Sequence, residues 1–190
     1  MNICPSCGKG IIQPKITSSP FMLVKEGITG NELDSGTVFV QKGKNKWGYD
    51  ENTNSYYLNR ELGLVGLQLS MFSLSCLFMH QIPKGGRTKE GKDLVRGCID
   101  YSIANLVEMA KDKKIILLMG ADLVKTFTGY NSSDVYGLVC KSELLPNVPV
   151  IVPAPNPDKL MNSPIGEMRV ALKVLSEQIK IYKQYSSIGG

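Results

Sequence analysis

Apolar residues fall along this chain in short continuous runs, separated by longer stretches in which they recur at helical spacing. Runs over 21–25 (F-M-L-V-K), 71–79 (M-F-S-L-S-C-L-F-M), 115–119 (I-I-L-L-M) and 148–152 (V-P-V-I-V) predict strands. The run over 71–79 has the unbroken apolar character of a buried strand. Residues 56–69, 93–111, 121–127 and 164–185 predict helices. In the second of these, Leu94, Cys98, Ile99, Ile103, Leu106, Val107 and Ala110 line one face. Gly129 is the expected stop of the third helix, and Pro164 sits near the first turn of the fourth. Between them lie polar or glycine-rich loops over 43–55, 80–92 and 131–134, and a P-A-P-N-P turn over 153–157. Residues 186–190 are expected to fray. Strands alternating with helices predict an α/β fold: three layers, α/β/α, around a mainly parallel central sheet.

Composition narrows the class. With 190 residues, 43% of them hydrophobic, the chain suits one domain spanning 1–190 with a full core. No apolar run is long enough to span a bilayer, and the N-terminus does not read as a signal peptide. A cytoplasmic monomer with no membrane partner is the expectation. The net charge of +5 permits a nucleic-acid partner without requiring one. Five cysteines without a secretion signal argue for metal ligation or burial over a disulfide framework. Cys4-Pro5-Ser6-Cys7-Gly8 is a C-x-x-C turn that can face two thiolates toward one metal or cluster, and the same pattern serves zinc knuckles.

Candidate chemistry gathers first in residues 24–42. Glu26 stands where the first strand ends, Gly27 and Gly30 follow, and Phe39 lies in the apolar triplet Val38-Phe39-Val40. An acid at the C-terminal edge of a strand, followed by a glycine turn, is where an open α/β sheet places its chemistry. By itself the pattern reads first as a strand end carrying a solvated carboxylate, and Phe39 as a core residue. His80, the only histidine, reads as a partly exposed loop residue and not a ligand, with a minor claim to acid–base work. Cys140 reads as a buried thiol, and Trp47 and Tyr49 as loop anchors.

Taken in order, these features resemble a known family. Paired cysteines, a strand, a Glu-Gly turn, G-x-x-F-V, a strand with a cysteine, a basic loop, a cysteine on a helix, a strand ending in Gly-Ala, and a strand with a proline-rich turn before Leu-Met follow one another. The set is similar to the iron–sulphur branch of the uracil-DNA glycosylase superfamily over nearly the whole chain. Lys25-Glu26-Gly27-Ile28-Thr29 takes the place of that family's G-E-x-P-G turn, and Gly36-Thr37-Val38-Phe39-Val40-Gln41 that of G-R-P-F-V-G. Cys4, Cys7, Cys76 and Cys98 take the places of its cluster ligands. Pro83-Lys84-Gly85-Gly86-Arg87 is similar to its basic loop, and Asn156-Pro157-Asp158-Lys159-Leu160-Met161 to its H-P-S-x-L-L motif.

The resemblance implies a uracil-DNA-glycosylase-like fold and a DNA glycosylase activity: cleavage of the N-glycosidic bond of a flipped-out uracil-like or modified pyrimidine. It implies DNA as partner and a [4Fe–4S] cluster on Cys4, Cys7, Cys76 and Cys98, with Zn²⁺ as the rival occupant, tying the Cys-bearing segment 1–20 to the core. Glu26 and Asn156 would be catalytic. Gly27, Ile28, Phe39 and Phe72 would bind the base. Lys84, Arg87, Lys159, Leu160 and Met161 would contact DNA, with Lys42 and Lys44 as further phosphate contacts. Three departures stand out: Ile28 replaces a proline, Phe72 falls where the family has its pyrimidine-reading Asn, and Asn156 replaces a histidine. The mismatch-specific branch of the family also carries Asn-Pro in the last motif. Phe72 in place of Asn points to a modified or bulkier base. The drift would suit a fast-evolving viral gene, and a catalytically silent DNA- or protein-binding module is the alternative reading.

Overall fold

A computed structural model describes residues 3–44, 47–84, 88–159 and 165–188. Four parallel strands form the central sheet in the order β4-β1-β5-β6: β1 (Phe21–Gly27), β4 (Ser73–Phe78), β5 (Ile115–Met119) and β6 (Val150–Ala154). Alternation along the strands sorts the side chains into two cores. Phe21 and Leu23 of β1, Leu117 of β5 and Val152 of β6 pack under α2 (Asn54–Leu64) and α6 (Ile165–Ile188). Met22 and Val24, Ile116 and Leu118, and Ile151 pack under α3 (Lys89–Ala110) and α4 (Ala121–Thr128). This is the three-layer α/β/α arrangement that the alternating pattern predicts. Among the described residues, no helix is long and apolar enough to cross a membrane.

The elements depart from the predicted boundaries where local chemistry overrides periodicity. α2 stops at Leu64 because the chain turns through Gly66 at φ +76°, and it starts at Asn54 because the Thr53 hydroxyl accepts from the Tyr56 N–H. α3 starts earlier than predicted because Thr88 caps it, accepting from the Gly91 N–H at 3.1 Å. β6 runs through Pro153, which an edge strand tolerates. The loop predicted over 43–55 contains an antiparallel hairpin, β2 (Lys42–Lys44) and β3 (Asp50–Asn52). A short helix, α5 (Ser132–Val135), lies in the polar stretch after α4. α6 continues to Ile188, through residues expected to fray. Glu61, buried on α2, accepts from Arg169 Nε of α6 at 2.6 Å and ties that layer together.

The turn after β1 holds a helix that hydrophobic periodicity does not reveal, α1 (Gly30–Ser35). Its signal is the capping box Thr29-x-x-Glu32: the Thr29 hydroxyl accepts from the Glu32 N–H, and the Glu32 carboxylate accepts from the Thr29 N–H at 2.8 Å.

Two further features position the sites. The chain leaves β1 for β4 on one side and then crosses back to β5 on the other, so the topological switch point lies between β1 and β5. The N-terminal segment runs along the outer edge of β4. Lys15 and Leu74 exchange backbone hydrogen bonds at 2.9 and 2.8 Å, and the Ile12 N–H donates to the Met79 carbonyl at 2.9 Å. That segment covers an edge that would otherwise present unpaired backbone groups.

Candidate functional site

Among the described residues, two buried polar clusters gather candidate chemistry. The first is at the C-terminal edge of the sheet and centres on Lys25. In an otherwise apolar strand, Lys25 follows Phe21 and Leu23 onto the α2/α6 face and is completely buried. Its Nζ lies 2.6 Å from Glu32 Oε2 and 3.2 Å from both carboxylate oxygens of Asp158. Burial works against the charge on Lys25, but Cys76, Asp158 and Glu32 outweigh it and hold the pKa above its ordinary value. Burial, joined by the charge of Glu32, raises the pKa of Asp158 against the lowering by Lys25.

Glu32 also sets the geometry of Phe39. Its Oε1 accepts from the Phe39 backbone N–H at 2.6 Å, and Phe39 sits at φ +57°, the one non-glycine residue with positive φ among those described. For an aromatic residue that conformation is strained by roughly 1–2 kcal/mol and persists only where its surroundings enforce it. The ring is 4% exposed, and Lys25 Nζ stands 5.8 Å from its centroid. A cleft of about 520 Å³ opens beside it, lined also by Gln13, Lys15, Thr37, Gln41 and Leu69. Asn156, just past β6, accepts from the Asp158 N–H through Oδ1 at 2.9 Å, so Nδ2 is the end of its amide that this bond does not use. Asn54 Nδ2 holds the Asp158 carbonyl at 3.0 Å. Lys25 thus joins β1, the α1 turn carrying Phe39, and the turn carrying Asn156.

Glu26, one residue on, goes to the opposite face of the sheet. Its carboxylate lies against Gly120, at the exit of β5, so closely that a Cβ on Gly120 would run into Oε2. Gly120 has φ +132°, which favours glycine for a second reason. Glu26 therefore stands in the β1/β5 switch-point crevice, where ligands of open α/β sheets bind. Gly27 closes β1, paired with Phe78, and Ile28 is half-buried against the core that holds Phe39.

Phe72 requires a correction. It is fully buried just before β4, its ring 6.2 Å from that of Phe21. A side chain sealed there packs the core and cannot read a base.

The second cluster is built of soft donors. Cys4, Cys7, His80 and Cys98 bring their ligand atoms within 4.8 Å of one another, and these residues could hold a metal ion. Cys4 Sγ and Cys98 Sγ are 3.8 Å apart. The Cys4–Cys7 turn closes through Gly8 N–H to the Cys4 carbonyl at 2.8 Å, and α3 approaches it at Gly97, where a Cβ would lie 2.7 Å from Ser6 Oγ. Burial raises the Cys4 pKa, but N–H groups of Cys7 and Ser6 and the thiols of Cys7 and Cys98 bring it below its ordinary value. Cys98, buried and facing the same thiols, is pushed up to about 12. Burial, then the charge of Lys9, lowers the His80 pKa, which favours the neutral imidazole that a metal needs. The His80 Nε2 is buried with no hydrogen-bond partner among the described residues.

Two expectations change here. Cys76 is not part of this group: it pairs with Lys25 across the β1/β4 ladder, fully buried, and its charged neighbours are Lys25, Glu32 and Asp158. His80, read from the sequence as a partly exposed non-ligand, is 2% exposed and takes the fourth place. The turn after β4 carries it back toward the N-terminal segment, a long-range approach that spacing does not show. A lone histidine just past a strand, in a chain with one C-x-x-C, was the available signal.

The remaining expected residues spread over the surface or lie elsewhere. Lys84, Lys42 and Lys44 are exposed, and Lys42 donates to Asn52 Oδ1 at 2.6 Å. Arg87, Leu160, Met161 and the side chain of Lys159 lie outside the described residues. Trp47 and Tyr49, expected as loop anchors, are each 71% exposed in the stretch between β2 and β3. Cys140 is the buried thiol expected of it, bridged to Ile151. Sequence reasoning passed over Lys25, Glu32 and Asp158, although a lysine inside an apolar strand run is itself an anomaly that asks for buried partners. No protein-family model matches the chain, and no curated protein matches it.

Proposed function

We propose that this chain is a DNA glycosylase-like hydrolase that acts on a flipped-out pyrimidine, uracil-like or modified, at the C-terminal edge of its parallel sheet. The observation that carries the reading is Phe39. An aromatic residue held at φ +57° by Glu32, beside a buried cation and a cleft, is the kind of strained, over-determined position that functional sites maintain. The resemblance gives the same residue the role of stacking on the extruded base.

Breaking an N-glycosidic bond leaves positive charge on the sugar and negative charge on the departing base. Glu26, in the switch-point crevice, is the carboxylate to stabilise the sugar cation or orient water. Asn156 is the donor to the base, through the Nδ2 end of its amide. Lys25, its charge met by Glu32 and Asp158, positions the turns that carry Phe39 and Asn156. Gly27 and Ile28 shape the near wall. Lys84 and Arg87 supply phosphate contacts, and Lys159, Leu160 and Met161 the wedge that fills the emptied stack. The three cysteines and His80 play no part in these steps; the resemblance implies a structural [4Fe–4S] cluster on Cys4, Cys7, Cys76 and Cys98, with Zn²⁺ as its rival.

The test is abasic-site formation on a panel of duplexes carrying uracil or modified cytosine or thymine. Release of one base, lowered by about 10²–10³ in Asn156→Ala and strongly in Glu26→Gln, supports the reading. One observation favours the alternative, a DNA-binding module without turnover: Glu26 and Phe39 belong to opposite faces of the sheet. Salt-dependent DNA binding with no abasic product on any duplex would select that alternative. Neither binding nor release would remove both.

A further inference from the structure

We propose that Cys4, Cys7, His80 and Cys98 hold a single tetrahedral zinc ion, in place of the iron–sulphur cluster that the family resemblance implies. The proposal stands on the donor geometry and is independent of the base-excision reading.

Distance is the first argument. A tetrahedral ion with zinc–sulfur bonds of about 2.3 Å puts its sulfurs about 3.8 Å apart. Cys4 Sγ and Cys98 Sγ are 3.8 Å apart, and all four ligand atoms lie within 4.8 Å. A [4Fe–4S] cluster binds its cysteines at the outer corners of an iron–sulfide cube, so its thiolates must stand farther from one another than ligands sharing one ion. These four donors leave no room for a cube among them.

Donor chemistry is the second. Three thiolates and one imidazole form a closed structural zinc set, whereas [4Fe–4S] clusters are held by four thiolates. The fourth cysteine that a cluster needs is Cys76, and it is committed to the other cluster, beside Lys25. The buried, unpartnered Nε2 of His80 is the third argument. A buried ring nitrogen without a partner is costly, and an adjacent electrophile would resolve it.

The site is also complete. Four protein donors fill a tetrahedron and leave no open position for water or substrate, so the ion is structural. It joins three separated parts of the chain: the Cys4–Cys7 turn, the end of the β4 connection and the first half of α3. Through the first, it holds the segment that covers the β4 edge at Lys15 and Leu74.

Metal and acid-labile sulfide are measured on the full chain purified with and without oxygen. One zinc per chain, no sulfide and a colourless protein are expected. Brown protein with iron and sulfide would overturn the proposal. Cobalt(II) exchanged into the wild type should show the intense visible bands of a tetrahedral thiolate site, and their absence would count against it. Two variants separate the ligand sets. Cys76→Ala should keep wild-type zinc content. His80→Ala should weaken zinc binding by more than the roughly 10–100-fold that a lost outer-shell partner costs. The reverse pattern refutes the assignment. Should His80→Ala fail to fold, His80→Cys keeps four donors, and its cobalt spectrum must shift from that of the wild type. Identical spectra would show that His80 is not a ligand.

Discussion

The two buried polar clusters solve the same problem in opposite ways. Glu32 is a buried carboxylate and Asp158 a partly buried one, and the protein supplies their cation itself, as Lys25. Cys4, Cys98 and His80, buried, and Cys7, half-buried, are converging donors, and among the described residues one ring nitrogen is left without a partner. An internal ion pair is closed when the chain folds. A set of converging soft donors would be closed by an ion from outside, and its stability would then depend on that ion. The contrast also separates roles. The lysine cluster holds the turns that carry Phe39 and Asn156, at the edge where sheets of this kind bind ligands. The cysteine cluster gathers the N-terminal turn, the turn after β4 and α3.

Three measurements can break or sharpen this contrast. The largest effect should follow Cys98→Ser or removal of the metal by a strong chelator. At saturating metal, loss of a structural ion should cost about 4 kcal/mol, a fall of roughly 10 °C in Tm, read by scanning calorimetry. Adding chelator to the variant should then change nothing further. If chelator leaves the wild type untouched, the dependence on an outside ion is wrong.

Next comes Lys25→Met, which strands one buried and one partly buried carboxylate and should cost about 3–5 kcal/mol in chemical denaturation. Adding Glu32→Gln and Asp158→Asn should recover most of that loss, and chelator should act on this variant as on the wild type. The pH dependence has a definite sign. The pKa of Lys25 is raised above its ordinary 10.5, so its stabilisation is complete below that pH and is lost as pH rises through the higher folded value. The wild type should therefore lose stability above about pH 10.5 more steeply than Lys25→Met. Parallel alkaline limbs would mean that the buried lysine contributes no such linkage.

The smallest effect concerns the strain that Glu32 imposes. Phe39→Gly and Phe39→Ala both lose the ring, yet glycine adopts φ +57° without penalty. Phe39→Gly should be the more stable of the two by about 1 kcal/mol, reversing the usual order of these residues. Equal stabilities would mean that the turn relaxes and stores nothing.

Much of the scaffold was legible along the chain. Periodicity located β1, β4, β5 and β6 and the helices α2, α3, α4 and α6, because burial of one face or of both is written locally in each segment. α1 was missed because its signal is a capping box and not an apolar stripe. The site was legible in part. Glu26 was named from its place at a strand end, Phe39 and Asn156 from the family resemblance; of the four soft donors, Cys4 and Cys7 came from the C-x-x-C spacing and Cys98 from the resemblance. Phe72 and Cys76 were assigned by order along the chain, but each is committed to a neighbour far away in sequence: Phe72 to Phe21, Cys76 to Lys25.

What the amino-acid order determined by itself is the alternation of strands and helices, and with it a parallel sheet under two helical layers, since those patterns depend only on neighbours a few residues apart. Which side chains meet was decided by the tertiary structure alone. In a strand, adjacent residues go to opposite faces, so Lys25 and not Glu26 reaches Phe39. Across the fold, backbone pairing brings the N-terminal turn to His80 and leaves Cys76 to a lysine. Proximity between distant residues comes from how strands order and register in space, and no local pattern carries it.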